Sequence, residues 1–127
     1  MGRSAVKFLL DSVILIDHFN GIRAASDYLV QVRAEAAVSV ITRAEVLTGF
    51  PEEHLPIAKR FLEAFVTLVI DKETADSAAL LRRKNGWKLP DAFQAALAQQ
   101  HGLKLVTRNS KDFQPERHDF VHIPYHL

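Results

Sequence analysis

Short apolar runs at 5–10, 36–40, 66–70, 103–106 and 120–123 alternate with stretches of helical period, and this alternation constrains the fold more than any other feature of the chain. The runs are four to six residues long and rich in Val, Ile, Leu and Phe, as buried strands are. Between them, apolar residues recur on one helical face. Ile22, Ala25, Leu29 and Val32 follow Asn20 and Gly21, and Ala58, Phe61, Leu62 and Phe65 follow Pro56. Ala75, Ala78, Ala79 and Leu81 precede Asn85 and Gly86, while Phe93, Ala96, Leu97 and Gln100 precede His101 and Gly102, a Gly suited to a helix C-terminus. Strands alternating with helices predict a single three-layer α/β domain over 1–127, a mostly parallel five-stranded sheet flanked by helices. The stretch from Pro51 to Pro56 reads as a connection between helices, and the last seven residues as an edge strand with a short tail. In such a sheet, functional groups collect outside the carboxyl ends of the strands.

Composition narrows the chemistry. The chain has no Cys, which excludes disulfides, thiolate metal sites and a Cys nucleophile, and is compatible with a reducing cytoplasm. Sixteen Lys and Arg against fifteen Asp and Glu leave a net charge of +1, so any polyanion must meet a local patch. The apolar stretch near the N-terminus is interrupted by Asp11 and closed by Asp17, far short of the roughly 20 residues of a membrane span. It also lacks a small-residue cleavage site, which argues against secretion.

Three acids stand at expected helix starts. Asp11 directly follows the first run, where it or Ser12 could equally cap the next helix. Glu45 follows the second run, and Thr42 with Glu45 forms a capping-box pattern; Asp91 with Gln94 is a further candidate cap with its reciprocal partner. Capping explains each acid singly but not the coincidence, because those helix starts can converge on one sheet edge. Two unit charges about 4 Å apart repel by about 4 kcal/mol at an effective dielectric near 20, so clustered carboxylates take up protons or bind a cation. Oxygen ligands without Cys favour Mg²⁺ or Mn²⁺ over Zn²⁺.

The segments FLLDSVILID (8–17), LPDAFQAALA (89–98) and HGLKLVTRNSKDF (101–113), with the Glu45 helix, resemble the PIN domain, and within it the VapC-type toxins of bacterial toxin–antitoxin pairs. The resemblance spans nearly the whole chain. It implies a metal-dependent endoribonuclease whose acidic site comprises Asp11, Glu45 and Asp91, holding Mg²⁺ or Mn²⁺, with Asp112 as a further acid and Ser12, Thr107 and Asn109 in support. Asn109 departs from the pattern, since many relatives carry Asp there. The implied mechanism has Asp11 and Asp91 hold the ion while Glu45 orients or deprotonates the attacking water. An antitoxin whose tail enters the acidic groove, a homodimer and a cytoplasmic location are implied by the same likeness, with the apolar helices around 46–50 and 61–65 offering a surface.

An RNA track is expected along Arg82, Arg83, Lys84 and Lys88, with Arg108 and Lys111 on the other side, although Arg82 to Lys84 also read as a solvated helix end favoured by the dipole. Trp87 fits either base stacking or local packing. His122 and His126 have Pro124 between them, which denies them the helix that a two-His metal site needs. Two other readings compete. A receiver-type phosphoacceptor would use Asp71, but it needs a pair of acids after the first strand where Ser12 and Val13 stand; a catalytically weak PIN-like RNA-binding module is kept open by Asn109.

Overall fold

Each expected strand forms, and each is shorter than its apolar run. The computed structural model describes residues 5–127, so the first four residues of the expected 1–127 domain lie outside the described residues. In chain order the elements are β1 (Phe8–Leu10), α1 (Ser12–Phe19), α2 (Arg23–Val32), β2 (Ala36–Ser39), α3 (Val40–Thr48), α4 (Leu55–Leu62), β3 (Val66–Leu68), α5 (Lys72–Asn85), α6 (Leu89–Gln100), β4 (Lys104–Val106) and β5 (Val121–His122). Short 3₁₀ turns at Arg33–Glu35 and Glu52–His54 complete the connections. The strands are trimmed where pairing partners end. Phe8 pairs with Ala36 and Lys104, the first residues of β2 and β4, so 5–7 have no neighbouring strand to continue along. At the other end of β2, Ser39 turns into the cap of α3.

The sheet order is β3-β2-β1-β4-β5, and every pairing is parallel. Successive strand residues therefore face opposite layers. Leu9, Ala37 and Leu105 point to one core with Leu97, Ala98 and Phe113, whereas Leu10, Val38 and Val106 point to the other with Ile14, Leu15, Leu29, Val46 and Leu62. One face is thus covered by α6, with α5 outside it, and the opposite face by α1 to α4.

Two helix stripes depart from expectation. In α5 the inward residues are Thr74, Ala78 and, partly, Leu81, while Ala75 and Ala79 face solvent. This helix packs chiefly against α6, and a one-sided contact buries only a narrow row spaced by three and four. In α6, by contrast, Ala92 and Gln94 to Ala98 are all buried, because this helix lies between the sheet and α5. Gly102 adopts φ +65° just beyond α6, the left-handed turn that ends the helix and feeds β4.

Chain direction along the sheet reverses at β1: β2 and β3 lie on one side, β4 and β5 on the other. Such a switch opens a crevice beyond the carboxyl ends of the two central strands. Phe113 anchors the segment after β4; it is fully buried and its ring centroid lies 4.9 Å from that of Trp87. Phe113→Ala should cost about 3–5 kcal/mol through lost burial and a residual cavity, read as a lower urea midpoint at unchanged m-value.

Candidate active site

Asp11 follows β1 at the bottom of this crevice and is 8% exposed. It is the N-cap of α1: Oδ1 accepts from the Ser12 N–H at 2.9 Å. The capping reading is therefore correct for Asp11, and Ser12 contributes its backbone N–H. The cap is only part of its environment. Thr107, fully buried at the end of β4, donates its hydroxyl to Oδ2 at 2.8 Å, and Gln94 Nε2 approaches Oδ1 at 3.4 Å. Burial pushes the Asp11 carboxyl up, and these donors oppose the shift.

The other two expected caps are replaced. Ser39, not Thr42, caps α3, accepting the Thr42 N–H at 3.0 Å, so Glu45 lies one turn further in and projects into solvent. Thr42 turns inward instead; its hydroxyl donates to the Leu10 carbonyl at 3.3 Å and accepts from Gln94 Nε2 at 2.7 Å. Likewise Lys88 occupies the N-cap position of α6, and Asp91 stands in the first turn. Gln94 faces the core, 1% exposed, with its Oε1 unpartnered. A buried acceptor without a donor costs about 1–3 kcal/mol.

Asp91 is the electrostatic centre. Partial burial first, then the negative charges of Asp11, Asp112 and Glu45, push its carboxyl from the ordinary 3.8 to about 6, with Lys88 opposing them. The structure thus brings Asp11, Glu45 and Asp112 within electrostatic reach of Asp91. Among the described residues no group of three or more Asp, Glu or His side chains is placed to hold a metal ion. Asp11 and Asp91 remain as a two-carboxylate set, and a cation such as Mg²⁺, which keeps several waters, takes one or two carboxylates directly.

Asn109 and Asp112 form a reciprocal pair. Asn109 Nδ2 donates to Asp112 Oδ2 at 2.9 Å, and Asn109 Oδ1 accepts the Asp112 N–H at 3.3 Å. The Asn109 N–H donates to the Thr107 hydroxyl at 3.1 Å, which joins this pair to Asp11. Trp87 settles into packing: it is 5% exposed, and its Nε1 donates to the Asp112 carbonyl at 2.9 Å. It supports the acidic loop and presents no stacking face.

The expected RNA track is divided. Arg83, Lys84, Lys88 and Lys111 are exposed, and Arg82, also exposed, donates to the Trp87 carbonyl at 3.1 Å. Arg108 departs from expectation. Its guanidinium grips Asp17 in α1 with two bonds, Nε to Oδ2 at 2.7 Å and Nη2 to Oδ1 at 2.9 Å, and the Tyr125 hydroxyl donates to the same carboxylate at 2.8 Å. The Arg108 bonds hold the Asp17 carboxyl below the usual carboxylate range. A cleft of about 430 Å³ remains beside this clamp, lined by Asp11, Val13, Arg108, Asn109, Ser110 and Lys111. Asp71 caps α5 by accepting from Thr74, beyond edge strand β3 and two strands away from β1. A receiver-type acceptor would share the crevice with the acid after β1, and Asp71 does not.

Sequence reasoning missed Gln94 and Thr42 as Asp11's support, and the Asp17–Tyr125 contact. The available signals were a lone polar Gln amid Ala92, Ala95, Ala96 and Ala98, and an Asp closing an otherwise apolar helix.

A parallel β3-β2-β1-β4-β5 sheet with acids gathered at its central switch defines the class. The PIN domain pattern matches residues 8–115, and the chain belongs to the PIN-domain family. Its likeness extends to particular members. Ribonuclease VapC10 of Mycobacterium tuberculosis is 35% identical over 108 residues, covering 80% of this chain and 81% of that one. A toxin–antitoxin complex from Klebsiella pneumoniae contains a chain 38% identical, with TM-score 0.85 over 98% of this chain and 100% of that chain. FitAcB from Neisseria gonorrhoeae shares the fold at 23% identity, with TM-score 0.75 over 94% of this chain and 99% of its own.

Two outcomes test this geometry. Arg108→Ala leaves Asp17 charged and nearly buried, and should cost near the low end of the about 3–5 kcal/mol typical of a broken buried pair, measured by urea unfolding. For Asp91, the folded chain between pH 4 and 6 retains a proton that the unfolded chain has released. That contribution is lost as pH rises through about 6. In EDTA, Asp91→Asn should therefore melt a few degrees above wild type at pH 7.5, and the two should converge as pH falls below 4.

Proposed function

We propose that this chain, over its whole 1–127 span, is a divalent-metal-dependent endoribonuclease and the toxin of a VapBC-type toxin–antitoxin pair. The observation that carries this reading is Asp91, held at about 6 by burial and by three neighbouring carboxylates at the sheet's switch point. A site built to gather like charges is built for a cation. The ribonuclease name of the 35% identical relative and the toxin–antitoxin setting of the 38% identical chain agree with it.

In this reading Asp11 and Asp91 hold Mg²⁺ or Mn²⁺, with Glu45 at the rim. The ion, when bound, neutralises charge on the scissile phosphate and acidifies a water. Thr107 orients Asp11. Glu45, solvent-exposed one turn into α3, holds the attacking water and takes its proton. Asp112, fixed by Asn109, keeps a carboxylate facing the cluster, so the amide at 109 retains rather than removes the site's fourth acid. Lys88 and Lys111 flank the acids and guide the RNA backbone, with Arg83 and Lys84 further out; Arg108 serves the clamp.

The antitoxin is proposed to place its tail in the acidic groove and to rest on Phe19, Phe50 and Phe61, whose rings lie 4.8–4.9 Å apart and are half-buried. Val46 and Phe65 are taken up by the core. A homodimer and a cytoplasmic location are part of the same proposal. Separately, no helix of the described residues is long and apolar enough to cross a membrane.

RNA cleavage by the purified protein should require Mg²⁺ or Mn²⁺ and stop in EDTA. Asp91→Asn should abolish it, and Glu45→Gln should lower kcat by roughly 10²–10⁴-fold. Cleavage that persists in EDTA or in Asp91→Asn would overturn the reading.

A further inference from the structure

Gln94 occupies a position where an apolar residue would pack without loss. Its neighbours on α6 are Ala92, Ala95, Ala96, Leu97 and Ala98, all buried, and Gln94 itself is 1% exposed. A Gln there leaves Oε1 without a partner, a penalty that packing alone does not repay. Its Nε2 faces two oxygens, Thr42 Oγ1 at 2.7 Å and Asp11 Oδ1 at 3.4 Å. Thr107 meets the other Asp11 oxygen from the opposite side at 2.8 Å. The carboxylate is thus held between a donor on α6 and a donor after β4.

The geometry points to Gln94 as a positioning residue that aims the Asp11 carboxylate at the cation. The inference rests on the metal-site reading proposed above and adds a residue to it. Gln94 lies three residues after Asp91, so the same turn of α6 carries one acid and the donor that anchors the other. The separation of the two carboxylates is set by a single helical turn. Thr42 completes the linkage: its hydroxyl accepts from Gln94 and donates to the Leu10 carbonyl, tying α3 and α6 to the residue before Asp11.

The test uses metal binding without RNA. Calorimetric titration with Mg²⁺ at pH 7.5 compares wild type, Asp91→Asn and Gln94→Met, the last being unbranched and of similar length. Removing the partner that orients a metal ligand typically weakens affinity roughly 10–100-fold, and that loss is expected for Gln94→Met. In EDTA its melting temperature should stay within a few degrees of wild type, since the loss of the orphaned oxygen offsets the loss of the donor to Asp11 and Thr42. Equal Mg²⁺ affinity in Gln94→Met and wild type overturns the role of Gln94 and leaves the metal site standing. No Mg²⁺ binding by wild type overturns both. Should Gln94→Met fail to fold, ¹⁵N spectra of the wild type decide: the Gln94 side-chain amide pair should shift as Mg²⁺ saturates the site, and a pair that does not move overturns the proposal.

Discussion

A carboxylate at the bottom of a crevice is the constraint to which the rest of this molecule answers. Asp11 ends β1, the strand at which the sheet order reverses, and it is nearly buried. Charges at such a place are costly unless donors meet them, and each neighbouring element sends one: Ser12 from α1, Gln94 from α6 and Thr107 from β4. The remaining acids arrive on α3, α6 and the loop after β4. Their repulsion does not spread evenly. Asp91, with fewer donors than Asp11 and the other charges around it, carries the strain as a raised proton affinity.

The loop after β4 shows how one short segment couples that site to the fold. Thr107 reaches Asp11, Arg108 reaches Asp17, Asn109 reaches Asp112, and Phe113 enters the core beneath Trp87. Consecutive residues thus serve the site, α1, the acidic loop and the packing. Tyr125, donating to the same Asp17, fastens the final residues onto this arrangement. Position in the acidic cluster is therefore inherited from core packing on one side and from a buried ion pair on the other. Arg108, read in the sequence as flanking the RNA track, is the tie between them.

Much of this was legible in the linear chain because strands and the acids that follow them are local features. Strand ends were not, since they depend on where a neighbour begins: residues 5–7 look like strand until β2 and β4 are seen to start opposite Phe8. The caps failed for the same reason. Ser39 and Thr42 both fit an N-cap, and which one serves depends on the residue at which β2 stops pairing. Gln94 was misassigned in another way. It reads as the reciprocal partner of an Asp91 cap, and only the approach of α6 to Thr42 and Asp11, 52 and 83 residues away in the chain, reveals its partners.

Asn109 illustrates how a departure from a family pattern can preserve the chemistry around it. A carboxylate at this position would add a like charge beside Asp112 and would have no proton to give it when ionised. The amide has both halves that the loop requires: Nδ2 donates to the Asp112 carboxylate, and Oδ1 accepts the Asp112 N–H. An Asn here therefore holds one acid in place without adding a like charge beside it. The amide between Thr107 and Asp112 thus acts as a brace that joins the Asp112 carboxylate to the Thr107 hydroxyl and, through it, to Asp11.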